Sequence, residues 1–578
     1  MESGQLPESS AVAKQSRHRS LRRMLYSQNP FYLLSVCFVL HGTGIWYRAN
    51  AGTHSPWILT GIIGAYIVMM AGVGFAIVKW GQVWDDARSI LLILLALFLE
   101  LGMTADDVII GDRSTGRAMA FVAWLMSVAV AEFILIGLRI RLKSLYRIPF
   151  HLFLGLILLY PVVIVHGNYP HNAEHNNWTI LLFPIIAAGI ILSLIPAVRR
   201  GASYVKNNGT PWLWPLYPWS LFVFLIAIVV FRSYALCLSF DPVLDISWHA
   251  ALQLQNCFGG IYLAPIVLAV SVLCLEGHLS TKSETVRRVG LLLPFSAMYL
   301  AWSGQSDGTL YVRVVEQVTQ QFASPLWLTV TLAVFVFTCA VIRRVRNSEI
   351  ALSTSLVLLA FLEPAAAGFP GFANPSSIHL LLAAGIQVWA GWKRRSSVKV
   401  LAGCLCCVVM ARSLVPVDEE FLRDVSSWYL TLAAILFVGL RMNDSFAQFL
   451  RHVAAWLLMV TCLAVPMSSE VGLPKLDSLQ MAMHMVGTSA ASLLLAWRTR
   501  LVQFQTAAIL NTGATTLAGS IRLVQILLRL PGGKGILWAI GGLIWLAMAA
   551  IISARKARAT VSPQPPPSDT PGLAAPEV

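Results

Sequence analysis

The stretch that decides the fold is Arg117–Arg147, RAMAFVAWLMSVAVAEFILIGLRIRLKSLYR. It contains an apolar run of about twenty residues, which is long enough to cross a lipid bilayer as one helix. Four basic residues follow this run, namely Arg139, Arg141, Lys143 and Arg147. Because cytoplasmic loops of membrane proteins carry an excess of Lys and Arg, the basic group predicts that this helix ends on the cytoplasmic side.

One carboxylate, Glu132, lies inside this predicted span, shortly past its midpoint toward the basic end. A charge at that depth is costly unless it is protonated or paired. The residues directly before and after Glu132 are apolar, so its own helical turn offers no partner. We therefore consider three interpretations: a hydrogen bond to a neighbouring helix, a group that loads and unloads a proton, or exposure to lipid.

The composition agrees with a membrane protein. Of 578 residues, 57% are hydrophobic and only 12% are charged, whereas about 25% of the residues of a soluble protein are charged. The net charge of +15 suggests nucleic-acid binding at first sight. The Lys and Arg residues, however, stand in short groups at the ends of apolar runs, as cytoplasmic loops require. We expect the lipid bilayer as a partner and no nucleic acid.

The same pattern of apolar runs repeats along the whole chain. It predicts an all-α integral membrane protein, a polytopic bundle of about eighteen transmembrane helices with short loops and no soluble domain. The predicted spans are Phe31–Tyr47, Trp57–Val78, Ser89–Met103, Ala118–Leu138, Phe150–Val165, Trp178–Val198, Trp219–Leu238, Phe258–Leu275, Val289–Trp302, Leu326–Ile342, Ile350–Ala367, Ile378–Trp392, Val398–Val415, Trp428–Leu440, Val453–Met467, Leu479–Trp497, Val502–Ile521 and Ile536–Ser553.

The charges of the loops predict the topology. Through sixteen spans, basic loops alternate with loops that are poor in Lys and Arg. This alternation places both termini in the cytoplasm. We expect a basic leader over residues 1–30, the transmembrane domain over residues 31–553, and a basic, then Pro-rich and disordered tail over residues 554–578. The bacterial inner membrane is the expected location.

One segment, residues 501–534, is unusually polar for a span. A full crossing is the favoured interpretation, although it places Arg522 and Arg529 outside; a re-entrant segment is the alternative. Hydroxyl and amide groups facing lipid lack partners, so the polar residues of this segment should face other helices. They are Asn511, Thr512, Thr515 and Thr516, and a helix break at Gly513 or Gly519 would support a binding site there.

Several ionisable side chains fall within predicted spans and are candidates for a polar site. Glu132 lies on the inner side of the membrane centre, whereas the others lie in the outer half, as expected if several helices line a cavity open to the outside. This outer group consists of His41, Glu100, Arg232, Glu363, His379, Arg412 and His484. The alternative is that the arginines reach the outer interface and the acids hydrogen-bond between helices.

Two further groups of residues lie in predicted outer loops. Asp106 and Asp107 form an acidic pair, an arrangement similar to that of membrane glycosyltransferases that take sugars from polyprenyl-phosphate donors. This resemblance implies a carboxylate that acts as a base or binds a metal. The loop after the fifth span holds four potential ligands of zinc or another divalent ion; they are His166, His171, Glu174 and His175.

These observations favour a transporter or translocator with an outward-facing polar site and Glu132 as its coupling group. The chain has no Walker phosphate-binding loop, no Rossmann fingerprint and no HExxH motif. We therefore expect no ATP hydrolysis and no cofactor. The alternatives are a membrane-embedded glycosyltransferase-like enzyme that uses a lipid-linked substrate at the outer face, and a structural or assembly subunit.

The topology predicts which loops a membrane-impermeant thiol reagent reaches. In a variant whose 9 native cysteines are replaced, Asn172→Cys should be labelled from outside intact cells and Ser144→Cys should not. Labelling of Ser144→Cys after the membrane is permeabilised serves as the control. The reverse pattern would invert every depth assigned above.

Overall fold

A computed structural model describes residues 31–49, 56–82, 84–166, 173–201, 204–205, 209, 214, 216–240, 259–302, 309–365, 375–414, 420–468, 478–529, 531 and 533–560. Within these ranges the chain forms α-helices and one short 3-10 helix, Gly260–Leu263, and no β-strand. The all-helical class predicted from the sequence is confirmed.

The helices are numbered in chain order. They are α1 Phe31–Ala49, α2 Pro56–Gly81, α3 Trp84–Gly111, α4 Arg113–Gly137, α5 Ser144–His166, α6 Ala173–Leu192, α7 Ile195–Arg199, α8 Trp219–Phe240, α9 Ala264–Thr281, α10 Glu284–Leu300, α11 Thr309–Gln321, α12 Pro325–Ile342, α13 Ser348–Phe361, α14 Ser377–Arg394, α15 Ser397–Leu414, α16 Glu420–Arg441, α17 Ser445–Ser468, α18 Ser478–Thr499, α19 Val502–Arg529 and α20 Gly533–Thr560.

Twelve of the described helices are long and apolar enough to cross a membrane. These are the helices of a multi-pass membrane protein. The other six predicted spans coincide with α1, α10, α13, α14, α19 and α20. The count of eighteen spans stays a prediction.

The chain divides into two compact units. The first comprises residues 1–390 and 409–414, and the second comprises residues 391–408 and 415–578. In the first unit α3 is the central helix, because it packs against α1, α2, α4, α5 and α8. Its apolar side chains Leu94, Leu97, Phe98 and Leu101 are almost fully buried.

Loops that the sequence predicts on the cytoplasmic side lie close to one another in the first unit. The Glu276 carboxylate at the end of α9 accepts hydrogen bonds from Arg199, after α6, and from Arg343, after α12. Nearby in sequence, Arg287 donates to the Arg346 carbonyl at 2.7 Å. Contacts between these loops require their helix ends to lie at the same end of the unit, as the alternation of charge predicts.

Basic residues also end several of these helices. A residue with positive φ commonly ends a helix, and it is usually glycine. Here Arg139, Lys282, Arg344, Arg395 and Arg500 have φ between 52° and 59°. Each follows a helix that the topology directs toward the cytoplasm. A cation at a helix C-terminus is favourable because the helix dipole places partial negative charge there.

The predicted span Ile350–Ala367 is longer than the helix that forms. Helix α13 ends at Phe361, and the backbone of Leu362 is extended. Pro364 follows two residues later, and a proline disfavours the helical conformation of the residue before it. Glu363 is therefore an exposed residue beyond the helix end.

The connection between α10 and α12 contains a helix, α11, as its amphipathic pattern predicts. Tyr311, Val314 and Val315 on its apolar face are at most 3% exposed. Phe322, just after the helix, contacts the Trp178 ring edge-on with centroids 5.8 Å apart.

In the second unit, α17 packs against α16, α18 and α19. The polar residues of α19 divide into two sets. Asn511 is buried and donates to the Leu458 carbonyl at 3.4 Å. Thr515 contacts the Ser489 hydroxyl at 2.7 Å. These two residues face neighbouring helices, as predicted.

Two other polar residues of α19, Thr516 and Ser520, do not bond to a neighbouring helix. Thr516 is exposed, and its hydroxyl donates to the Thr512 carbonyl one turn earlier at 2.7 Å. The Ser520 hydroxyl likewise donates to the Thr516 carbonyl at 2.7 Å. A hydroxyl that bonds within its own helix does not need a neighbouring helix as its partner. The helix is continuous through Gly513 and Gly519, so the break that would have supported a site there is absent.

Asp444 joins two loops of the second unit and supports a prediction on pH. Its carboxylate accepts from the backbone N–H and hydroxyl of Ser397 at 3.0 Å and 2.7 Å, and from the Ala447 N–H at the start of α17. Burial raises its pKa, but the hydrogen bonds from Ser397 and Ala447 outweigh burial and lower the pKa overall. The carboxylate thus stabilises the fold above its unfolded pKa of about 4, and this contribution is lost as the pH falls through the lower folded value.

We expect Asp444→Asn to lower the melting temperature in detergent at neutral pH, by the equivalent of at most about 1 kcal/mol, because the side chain is only partly buried. The difference between the two proteins should shrink as the pH falls below about 4 and disappear once the pH is below the lowered pKa of the folded carboxylate, where the wild-type side chain is protonated in the folded and the unfolded state. A difference that stays constant down to that pH would contradict the assigned role of the charge.

Candidate functional site

A fully buried ion pair lies at the centre of the first unit. Arg232 of α8 donates from Nη1 to Asp106 Oδ2 at 2.5 Å and from Nη2 to Asp106 Oδ1 at 2.8 Å. Both side chains are 0% exposed. The Nε atom of Arg232 donates to the Ile157 carbonyl of α5 at 3.0 Å. Arg232 therefore connects α3, α5 and α8, with three of its donor groups satisfied.

The neighbouring backbone leaves room for this guanidinium. Gly102 lies one turn before Asp106 on α3, and a Cβ atom at Gly102 would stand 3.7 Å from Arg232 Nη2 and 3.3 Å from a methyl group of Leu158. A larger side chain at this position would push against both α5 and the guanidinium. The absence of a side chain at Gly102 thus allows the close packing around the pair.

Two further carboxylates, Glu100 and Asp107, lie on α3 beside the pair. They are seven residues apart and so share one face of the helix. Glu100 is half-buried and Asp107 is exposed. Neither carboxylate forms an ion pair with a residue in the described part of the chain. Among the acids of the outer half of α3, only Asp106 is neutralised by a described cation.

Glu132 is paired at the other end of the bundle. Its Oε1 accepts from Arg147 Nε at 2.7 Å and lies 2.6 Å from His151 Nε2, while its Oε2 accepts from Arg147 Nη2. Both partners belong to α5, four residues apart and thus on one face. Of the three interpretations of Glu132, exposure to lipid without a partner is excluded by this contact. Both the structural and the proton-carrying interpretation remain compatible with it.

The partners of Glu132 were missed at the sequence level. Arg147 was assigned only to the basic group that sets the direction of the helix, and His151 was not singled out. The available signal was their spacing: Arg147 and His151 stand at positions i and i+4 near the start of the next helix. A carboxylate near the end of one helix pairs most easily with cations near the start of its antiparallel neighbour.

Glu363 and Arg412 do not belong to the cluster of residues around Arg232. The expected outer cavity would have allowed Arg232 to pair with Glu100 or Glu363. Arg232 pairs with Asp106 instead. Glu363 is exposed beyond the end of α13, and Arg412 is exposed in the last turn of α15. His41 is exposed on α1.

His484 lies in the second unit, where both of its ring nitrogens have partners. Nε2 is 2.9 Å from the Thr461 carbonyl and Nδ1 contacts the Tyr429 hydroxyl. A carbonyl only accepts, so Nε2 carries the proton and Nδ1 accepts from Tyr429. The Thr461 hydroxyl in turn accepts from Trp428 Nε1 at 2.9 Å. These contacts give His484 a place in a satisfied network between α16, α17 and α18.

The predicted metal ligands lie outside the part of the molecule whose side chains are described. His171 belongs to the segment between α5 and α6, while His166, Glu174 and His175 lie at the ends of these helices with undescribed side chains. Among the described side chains, no group of three His, Cys, Asp or Glu residues could hold a metal ion. The histidine-rich metal site stays a prediction.

Two short motif matches lack the structural context that their chemistry needs. Residues 304–308, GQSDG, fit the G-x-S-x-G spacing of hydrolase nucleophiles, which requires a strand before the serine. The preceding element is the helix α10, and residues 304–308 themselves lie outside the described ranges. Cys404 and Cys407 have C-x-x-C spacing but lie in the middle of α15, remote from a helix N-terminus that would favour a thiolate.

Comparisons of the chain with protein-family models, curated proteins and solved structures give no match. The function has to be argued from the residues of this chain.

The buried pair predicts a large effect on stability. Removing one partner leaves an uncompensated charge in an apolar core, at a cost of about 3–5 kcal/mol. We expect Arg232→Met to lower the melting temperature of the detergent-solubilised protein strongly, and Asp106→Leu combined with Arg232→Met to recover much of the loss. Asp112→Asn, an exposed change just after the same helix, is the control. Additive losses in the double variant would contradict direct coupling of the two charges.

Proposed function

We propose that the protein is a proton-coupled transporter of the bacterial inner membrane, with both termini in the cytoplasm. Its outward-facing polar site is built on α3 around Glu100 and Asp107. Its proton-carrying group on the cytoplasmic side is Glu132, with His151 as the exchange partner.

The observation that carries this proposal is the placement of acids at two depths of adjacent helices. Helix α3 carries Glu100 in the predicted outer half of the membrane and Asp107 in the stretch predicted as an outer loop, and α4, which packs against α3, carries Glu132 near the predicted inner end. Unpaired acids within a membrane are costly, and in membrane proteins they mark ion and proton pathways. The Asp106–Arg232 pair fixes α3 without using these carboxylates.

The contact between Glu132 and His151 supports a proton exchange. An imidazole has two ring nitrogens that can donate or accept a proton, whereas a guanidinium has no acceptor atom for one. A proton moves between the His151 Nε2 and Glu132 Oε1 atoms over their 2.6 Å separation without a large side-chain movement. Arg147 orients the carboxylate through two hydrogen bonds while this occurs.

A second function, transfer from a lipid-linked substrate at the outer face, is favoured by one observation. A mostly apolar groove of about 680 Å³ lies between α2 and α4, with Leu101 of α3 in its lining. Its walls include Gly61, Gly64, Met119 and Met126. In a membrane such a groove accommodates a lipid chain next to the helix that carries Glu100 and Asp107, as the resemblance to membrane glycosyltransferases implies. No comparable observation favours a structural or assembly role.

The transporter proposal predicts a specific effect of Glu132→Gln. Proteoliposomes with the pH dye pyranine inside would be exposed to a panel of sugars, amino acids, carboxylates and nucleosides under an imposed pH gradient. For the wild type we expect solute-dependent proton movement. Glu132→Gln should abolish it, because an amide cannot carry the proton, while the amount of folded protein stays unchanged.

Glu276→Gln is the matched control, since Glu276 is another inner carboxylate held by two arginines. It should retain solute-dependent proton movement. Solute uptake that still follows the pH gradient in Glu132→Gln would remove the relay from the proposal.

A change in the groove separates the two functions. Gly61 lines the groove, and a Cβ atom there meets no atom within 4 Å, so a side chain at this position begins in open space. Gly61→Leu should leave transport of a small solute unchanged. A transferase that places a lipid chain in the groove would lose most of its activity.

A further inference from the structure

A second site lies at the inner end of α4, where a pocket of about 270 Å³ is lined by three arginines. Arg139 and Arg141 come from the loop between α4 and α5, and Arg147 comes from the first turn of α5. The remaining lining is apolar and consists of Leu135, Ile136, Ile140 and Leu142.

The loop that carries the arginines has a defined backbone. The Ile140 N–H donates to the Leu135 carbonyl at 2.8 Å and the Arg139 N–H donates to the Ile136 carbonyl at 3.0 Å. These bonds close the C-terminus of α4 around Arg139, whose φ is 56°. The Tyr217 hydroxyl also donates to the Arg141 carbonyl at 3.3 Å. The arginines are therefore presented by an ordered turn that is held at both ends.

The charge in the pocket is not balanced by the described residues. Arg147 is neutralised by Glu132, although its Nη1 atom has no described partner. Arg139 and Arg141 are exposed and form no ion pair with any described residue. The pocket thus has an excess of two positive charges, whose guanidinium groups match the geometry of phosphate oxygens.

The apolar part of the lining distinguishes between phosphate ligands. Ile136, in the last turn of α4, is 66% exposed and lies on a helix that is apolar enough to cross a membrane. A ligand in the pocket therefore contacts both guanidinium groups and hydrocarbon. A phospholipid presents a phosphate and apolar chains side by side, whereas a soluble phosphate does not.

We propose that this pocket binds the phosphate headgroup of an anionic phospholipid from the cytoplasmic leaflet. Arg139 and Arg141 contact the phosphate, and the apolar residues of α4 contact the glycerol and the first part of the chains. Basic pockets between transmembrane helices on the cytoplasmic side have the right chemistry for such headgroups. This binding does not depend on the proposed transport activity.

The site can be tested with the full chain in a neutral detergent. Phosphatidylglycerol would be titrated into the protein, and the bound lipid would be counted by native mass spectrometry, with phosphatidylcholine, which is zwitterionic and has no net charge, as the comparison. We expect one phosphatidylglycerol to bind more tightly than the others. Arg139→Gln combined with Arg141→Gln should weaken that binding by about tenfold or more, since two guanidinium–phosphate contacts are lost.

The matched control is Arg344→Gln combined with Arg395→Gln. These two arginines also have positive φ after helices that end on the predicted cytoplasmic side, and they do not line the pocket. An equal loss of binding in both double variants would show diffuse attraction to basic loops and would overturn the proposal.

Two further measurements address a double variant that does not fold and a soluble phosphate as the ligand. If the double Gln variant does not fold, Arg139→Lys with Arg141→Lys keeps the charge and should still weaken binding, because lysine lacks the paired donors of arginine. Inorganic phosphate would be added in place of the lipid. Stabilisation of the wild type by phosphate alone, lost in the double Gln variant, would identify a soluble phosphate ligand and overturn the lipid assignment.

Discussion

The ion pair between Asp106 and Arg232 is the constraint on which the first unit depends. An arginine that is fully buried among apolar helices is tolerated only when its charge is paired and its donors are satisfied. Asp106 supplies the charge and the Ile157 carbonyl satisfies Nε. Because these partners lie on three helices, the pair fixes their rotation and depth relative to one another. Other packings of apolar helices preserve burial equally well, but they would leave the guanidinium without its partners.

This constraint allows one helix to serve two purposes. Helix α3 packs against five other helices of its unit, and it also carries Glu100 and Asp107. Unpaired acids tend to destabilise the helix on which they lie, since no cation compensates for the cost of removing them from water. The bidentate contact of Asp106 stabilises the same helix close to these acids. A rigid element that carries unpaired carboxylates is what a polar site within a membrane requires.

At the inner end, basic residues have structural roles in addition to their effect on topology. Arg199 and Arg343 hold Glu276, Arg147 holds Glu132, and Arg139 ends a helix with positive φ. The basic residues from which the topology is predicted therefore also hold the helix ends together. Arg139 and Arg141 form no ion pair with a described residue, so their charge remains available for a ligand. The proposed lipid pocket is argued from this imbalance.

The sequence by itself determined the helical class, the approximate position of the spans and the alternation of basic loops, because hydropathy and the cost of moving charge across a bilayer act locally along the chain. It also identified Glu132 and Arg232 as costly residues, but its assignment of Asp106 to an outer loop was wrong, because Asp106 lies on α3 and is fully buried. Only the tertiary structure decided their partners: Asp106 and Arg232 are 126 positions apart, and their contact follows from how α3 and α8 pack. The sequence analysis also missed the early end of α13, although Pro364 is a local signal for it, and the bond of Thr516 within its own helix. Partner choice is a property of packing, because several cations at similar depth compete for each acid and only the arrangement of helices selects one.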